Sequence, residues 1–205
     1  AAPKDVVTRY TKLIDLLKLN LFALEVETFP LVRSLLAGPQ DTAMIVDIGD
    51  LVTTFHIIDQ GTPRVSHSID YGGGSVTQAI AQALAIDTAA AEEKKVSVGL
   101  KGQAAQELVQ VTQAATEKLW QQAKQLLELY GRKMGRRVPK TILIGGGANM
   151  RGLPEAWAAS VGHPVVVGNP WRGLSFPQTL EPRLQELGPF YAVAVGLAQR
   201  GFIPV

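Results

Sequence analysis

The stretch Ile45-Val46-Asp47-Ile48-Gly49-Asp50-Leu51-Val52-Thr53-Thr54 decides the fold. An apolar run ends in an acid and a glycine, bends, and restarts at paired threonines, which reads as one strand emptying into a tight loop and returning as a second. Downstream, Ile142-Leu143-Ile144-Gly145-Gly146-Gly147 is another apolar strand that empties into three glycines. Two such strand-end loops are expected to hold one nucleotide between them. Small residues let backbone N–H groups approach phosphate, and a carboxylate can position a counter-ion.

Working outward, strands are expected over Ala43–Ile48, Thr53–Asp59 and residues 64–69, the last two joined by Gln60-Gly61-Thr62-Pro63, a hairpin turn. Tyr71-Gly72-Gly73-Gly74 then leads into a helix from Ser75, whose spacing to Gln78 is that of a capping box. That junction is a second place where N–H groups can meet an anion. A helix over residues 89–95 precedes Gly99. Leu108, Val111, Ala115, Leu119, Ala123, Leu126, Leu127 and Tyr130 then mark one face of a long helix over residues 103–130, a rod of about 40 Å. Next come a strand at Thr141–Ile144, a helix over 153–159 with Pro154 in its first turn, a strand over 164–167, an irregular loop over 169–188, a helix over 189–199, and a short strand in the tail 201–205. At the other end, periodicity predicts a helix from Pro3 to near Asn20, a strand over 21–26 and a helix over 27–36, closed by Gly38-Pro39. Strand, strand, strand, helix, insertion, helix, strand, helix, strand, helix is the order of one lobe of a ribonuclease-H-like α/β fold with a mixed sheet. Residues 1–40 read as the end of a first lobe and interlobe segment, and 41–205 as a second lobe with a small helical insertion at about 85–101.

Composition narrows the function. The 205 residues are 46% hydrophobic and 19% charged, enough for a packed core and too apolar for disorder. Twenty Lys and Arg against 18 Asp and Glu give +2, which does not argue for nucleic acid. With no cysteine there is no disulfide framework or thiolate metal site. His56, His67 and His163 lack metal-ligand spacing, and no apolar run reaches membrane-spanning length. The chain opens on Ala1, as a processed or excised piece would.

Asp47-Ile48-Gly49 with Thr53-Thr54 resembles the second phosphate motif of the actin-like ATPases, and Gly145-Gly146-Gly147 with Asn149 and Gly152-Leu153-Pro154 resembles their adenosine motif. Between them, Ala91-Glu92 and Lys95 are similar to the Ala-Glu-x-x-Lys of the nucleotide-facing helix in the second lobe. Within the superfamily, Ala1-Ala2-Pro3-Lys4-Asp5-Val6-Val7, Leu24-Glu25-Val26-Glu27-Thr28-Phe29 and the run Ala192-Val193-Ala194-Val195-Gly196-Leu197-Ala198 resemble the PilM family of type IV pilus assembly, itself similar to the division protein FtsA. The likeness covers nearly the whole chain. It lacks a counterpart of the family's first lobe, with its own phosphate motif and water-positioning residue.

The resemblance implies a site made of Asp47, Gly49, Thr53, Thr54, Gly73, Glu92, Lys95, Gly145, Gly146, Gly147 and Asn149, taking ATP and Mg²⁺, with Asp47 on the metal. Each has a plainer reading: Asp47 capping its own turn, Gly49 to Thr54 an ordinary tight turn, the glycines close helix packing, Glu92 and Lys95 a solvated pair. Asp50 departs from the family's small residues and would repel phosphate unless a cation intervenes. Implied partners are a PilN-like cytoplasmic tail, bound chiefly by the first lobe, and other pilus assembly proteins, in the cytoplasm and peripheral to the inner membrane. Self-association stays open. Arg132, Lys133, Arg136, Arg137 and Lys140 form the one basic cluster, either complementing a helix end or meeting an acidic partner or anionic membrane. Three functions compete: a nucleotide-binding assembly scaffold, a sugar-kinase-type enzyme, and an interaction module that keeps the fold without nucleotide. Against the enzyme, the sequence offers no clear acid–base pair.

Overall fold

The computed structural model describes residues 3–101 and 106–202. Its centre is a five-stranded sheet in the order β3-β2-β1-β4-β5. Strands β1 (Ala43–Ile48), β2 (Thr53–Asp59) and β3 (Thr62–Ile69) form an antiparallel meander, while β4 (Thr141–Ile144) and β5 (Val165–Val167) run parallel to β1. The mixed α/β sheet is the one expected. β3 starts at Thr62, and Pro63 is tolerated because β3 is an edge strand, at a register shift opposite Ile58.

Alternation along β1 sends side chains to two cores, so both faces must be covered. Met44, Val46 and Ile48 join Phe55, Ile57 and Leu143 beneath α3 (Gly73–Leu84), α5 (Gln106–Met134) and α6 (Leu153–Val161). Trp120 of α5 and Trp157 of α6 meet edge-to-face at 6.3 Å there. Ala43 and Ile45 join Ile58, Ile142 and Ile144 beneath α2 (Thr28–Leu35) and α7 (Glu181–Gln199). Those two helices cross closely: a Cβ on Gly196 would stand 2.0 Å from the Pro30 carbonyl oxygen, which admits only glycine. The insertion carries α4 (Thr88–Ser97), whose first turn is capped by Asp87 Oδ1 accepting from Ala90 N at 2.8 Å.

Four expectations need correction. The helix after the Gly72–Gly74 run begins at Gly73 rather than Ser75, and Ser75 Oγ accepts from the Gly72 N–H at 3.3 Å. Residues 181–188, read as loop, form the first half of α7. Pro182 sits in its first turn, where a missing N–H costs nothing, and Pro189 is carried inside the helix. The long helix runs on to Met134, past Gly131, and the residue chosen as its start, Gln103, lies outside the described residues, as does most of the tail strand over 201–205.

The fourth concerns residues 21–26, which form no strand. Leu21, Phe22, Leu24 and Val26 are exposed, Phe22 to 84%, while Glu25 is tucked in. Its carboxylate takes a forked pair from Arg33 of α2 at 3.0 and 3.1 Å and a third bond from Arg200 at 2.6 Å. The pattern is that of a strand, but a strand requires a partner ladder, and the described residues supply none. The preceding helix α1 (Lys4–Leu16) buries none of its residues either.

Candidate functional site

The candidate residues gather where β1 and β4 end side by side. In open α/β sheets this carboxyl end is where loops and helix starts converge on ligands. Asp47 pairs with Thr54 on one side and Ile144 on the other. Its carboxylate is half-buried and, among the described residues, accepts no hydrogen bond. Burial, helped by the negative charge of Glu27, pushes its pKa from 3.8 up to about 6. Such a group carries an unmet demand for a cation or a proton.

The turn that follows is held from outside. Gly49 N donates to Val52 O at 3.0 Å; the carbonyls of Gly49 and Asp50 accept from Gly73 N and Gly74 N at 2.8 and 2.9 Å. The N–H groups that open α3 are therefore already used by the turn. Those of Asp50, Leu51 and Val52, by contrast, have no partner among the described residues. The donors open to an anion lie in the turn itself, one step from the glycines where the sequence places them. Thr53 is buried, its hydroxyl donating to Tyr71 O at 2.7 Å, and Thr54 Oγ1 lies 3.1 Å from Ser68 Oγ across the strand pair. Both threonine hydroxyls already have protein partners.

Glu92 and Lys95 are not a solvated pair. Lys95 is 7% exposed, and its Nζ lies 2.7 Å from Glu92 Oε2 while donating to Thr77 Oγ1 at 2.8 Å and Gly73 O at 3.1 Å. Thr77 Oγ1 also bonds both Gly73 O and Glu92. Burial alone would raise the Glu92 pKa, but the bonds from Lys95 and Thr77 outweigh it and hold the carboxyl below its usual value. The network locks α4 onto the first turn of α3, behind the Gly49 turn. Sequence reasoning missed Thr77, although its place one helical turn after Gly73 was a signal for it.

The three glycines make the second wall. Gly145 has φ +79°, and a Cβ there would stand 2.4 Å from Asp47 Oδ1 and 2.5 Å from Ile48 O. Gly147 would strike Ile48 Cγ2 at 2.3 Å. These close approaches bring a 3₁₀ turn, Gly146–Asn149, against the end of β1, and Gly145 N donates to Pro189 O at 3.0 Å. Gly146 is exposed beside Phe190, and Asn149 Nδ2 donates to Glu186 O at 2.9 Å. Glu186 of α7 is a further site neighbour that the expected loop had hidden, and Pro189 and Phe190, from the expected last helix, join it.

Asp47 and Gly145 to Gly147 thus share one edge, with Gly49, Gly73, Glu92 and Lys95 grouped across the turn. Asn149 lies at the α7 side. The described residues contain no group of three or more His, Asp or Glu placed to hold a metal ion. One partnerless carboxylate beside open turn amides fits a hydrated Mg²⁺–phosphate group, since Mg²⁺ keeps several waters, and does not fit a caged ion.

The chain matches the model of the type IV pilus assembly protein PilM over residues 1–202. It belongs to that family. The chain of a PilM–PilN type IV pilus biogenesis complex is 27% identical to it, covering 91% of this chain and 55% of its own, with a TM-score of 0.75. The ethanolamine utilization protein EutJ of Carboxydothermus hydrogenoformans (21% identity, 90% and 57% covered, TM-score 0.65) and MreB5 of Spiroplasma citri bound to ADP (18%, 97% and 65%, TM-score 0.70) share the fold. This PilM-family chain therefore has an actin-like fold and spans between half and two thirds of the length of these solved chains. No helix of its described residues is long and apolar enough to cross a membrane.

Proposed function

We propose that the chain forms one wall of a nucleotide clamp in a cytoplasmic scaffold of type IV pilus assembly, working at the inner membrane through its partners. The observation that carries this is the Asp47 carboxylate, partnerless at the end of β1 and faced by bare backbone at Gly145. Asp47 would hold Mg²⁺ through water, the amides of Asp50 to Val52 would take phosphate oxygens, and Gly145 to Gly147 would give the nucleoside a flat backbone floor. Bound Mg²⁺ supplies charge neutralisation at the phosphates. Lys95 and Glu92 brace the turn from behind. ADP held by MreB5 on the same fold supports the choice of an adenine nucleotide. These side chains add no acid–base pair suited to a sugar hydroxyl, so nothing among them supports the sugar-kinase reading.

The exposed apolar side chains of residues 7–26 dock against an opposing lobe that closes the clamp, which would pair the segment 21–26 into its sheet. That reading makes residues 1–40 interlobe chain. A PilN-like tail and other assembly proteins would be partners of the closed form, the likeness to the PilM–PilN complex being the support.

Asp50 favours a second reading, a module without nucleotide. A Cβ on Gly74 would stand 2.6 Å from Asp50 Oδ1, so the Asp50 side chain already lies at the start of α3. Calorimetric titration of MgATP, on this chain and on any longer natural form that carries it, separates the two. Binding that is lost in Asp47→Ala supports the clamp. No heat in the longer form with Mg²⁺ present overturns it.

A further inference from the structure

A cleft lies at the opposite end of the sheet, where β4 and β5 begin. It has a volume of about 780 Å³ and is lined by Leu127 and Arg132 of α5, Arg136, Arg137 and Val138 of the connector to β4, and His163 ahead of β5. Four residues of β4, about 13 Å of strand, separate it from the Asp47 edge.

The chemistry of this cleft is uneven. Leu127 and Val138 give it an apolar floor, and the arginines stand at its rim. Arg136 is held in place: its Nη1 donates to Asp59 Oδ2 at 2.9 Å, yet its side chain is 45% exposed. Arg132 and Arg137 have no acidic partner among the described residues. A helix end favours cations, but a single terminus gains only about 0.3–1 kcal/mol from one and loses the effect within a turn. Three arginines from two segments around one concavity exceed that need. Glu128 is the single acid of the lining. His163, with Nε2 2.7 Å from Thr141 Oγ1 and its pKa lowered by burial, adds no charge near neutral pH.

We propose that this cleft docks an acidic peptide segment of a partner protein, its carboxylates taken by Arg132, Arg136 and Arg137 and one apolar side chain seated on Leu127 and Val138. Guanidinium groups match carboxylates in a forked geometry, and an anchor in an apolar recess supplies the remaining binding. A bilayer is a poorer fit, because a flat surface would reach the rim and leave the recess unfilled. The volume is within the range of formed ligand clefts, about 300–1,000 Å³.

The test uses a fluorescein-labelled peptide of about ten residues, with carboxylates flanking a central Leu-Phe pair, titrated by anisotropy. The Arg132→Glu, Arg137→Glu double variant leaves the Arg136–Asp59 pair intact and is expected to weaken binding at least tenfold. Lys4→Glu, Lys12→Glu on exposed α1 makes the same change in net charge and is expected to leave it within twofold. Replacing Leu-Phe by serines should also weaken the wild-type complex severalfold. Equal losses in both double variants would reduce the effect to net charge and overturn the proposal. So would binding of vesicles of phosphatidylcholine and phosphatidylglycerol with none of the peptide, or an arginine-dependent dimer in sedimentation that excludes it. Circular dichroism confirms that both variants are folded.

Discussion

Asp47→Asn should stabilise the ligand-free protein while abolishing its response to MgATP. The wild-type carboxylate has its pKa raised from 3.8 to about 6 by burial and by Glu27. At about 1.4 kcal/mol per pH unit, that difference corresponds to roughly 3 kcal/mol of cost once the group is ionised. Asp47 is partly open to solvent, so a gain of about 2 kcal/mol is the expected outcome at pH 7.5. The sign follows from proton counting. Below pH 3.8 both states are protonated and the cost is absent. Between 3.8 and 6 the unfolded chain has lost the proton that the folded one retains, so stability falls with rising pH. Above 6 the cost is complete and constant.

A second group on the same face works the other way. His56 is 1% exposed, with Nδ1 3.3 Å from Thr28 Oγ1 and Nε2 4.0 Å from Glu27 Oε1, and burial lowers its pKa from 6.5 to about 4. Here the unfolded chain binds the extra proton, so stability rises with pH between 4 and 6.5. In the wild type the two slopes oppose and leave a shallow profile. In Asp47→Asn the histidine slope stands alone. Urea unfolding of both proteins from pH 4 to 8 measures this directly. Parallel profiles, or no stabilisation at pH 7.5, would refute the assignment of Asp47 as a strained, cation-seeking acid.

The other predictions concern what holds the site in shape. Gly145→Ala, which needs φ +79° and meets Asp47 Oδ1 at 2.4 Å, should cost about 2–4 kcal/mol in urea unfolding, whereas a surface substitution such as Lys12→Ala should stay within about 0.5. Lys95→Met leaves Gly73 O and Glu92 without their ammonium partner and should cost about 2–3 kcal/mol by the same measurement, with weaker MgATP binding because the turn is no longer braced. Asp59 takes bonds from Tyr130, Arg136 and Thr42 at 2.8, 2.9 and 3.0 Å. Burial works to raise its pKa, but these partners lower it, so its stabilisation is present above pH 3.8 and is lost as the pH falls further. Asp59→Asn should therefore cost about 2 kcal/mol at pH 7 and flatten the acid limb of the unfolding profile. Phe22→Asp should leave the unfolding of this chain unchanged within about 0.5 kcal/mol, since Phe22 is 84% exposed, while destabilising a longer form in which an opposing lobe covers it.

Strands were legible where the sequence carries both halves of a pairing. The bounds of β1, β2 and β4 agree with the sequence reading to the residue, because each run stops at a turn signal: Gly49, the Gln60-Gly61 turn and Gly145. Residues 21–26 show the converse. Their apolar run reads as a strand, but a ladder is a property of two segments, and the described residues supply no partner for this one. The site was legible as residue types and not as bonds. Asp47 next to Gly145 comes from the parallel pairing of β1 with β4, which a linear pattern does not contain. Glu92 and Lys95 looked like an ordinary exposed pair because helical spacing cannot say that Thr77 and the Gly73 carbonyl lie behind them. Proline misled for a related reason. It ends a helix only where an N–H is required, and Pro182 occupies a first turn that requires none. Pro189 is different, since it sits mid-helix, yet its carbonyl receives Gly145 N. That bond, made by the Pro189 carbonyl, ties α7 to the wall that faces Asp47.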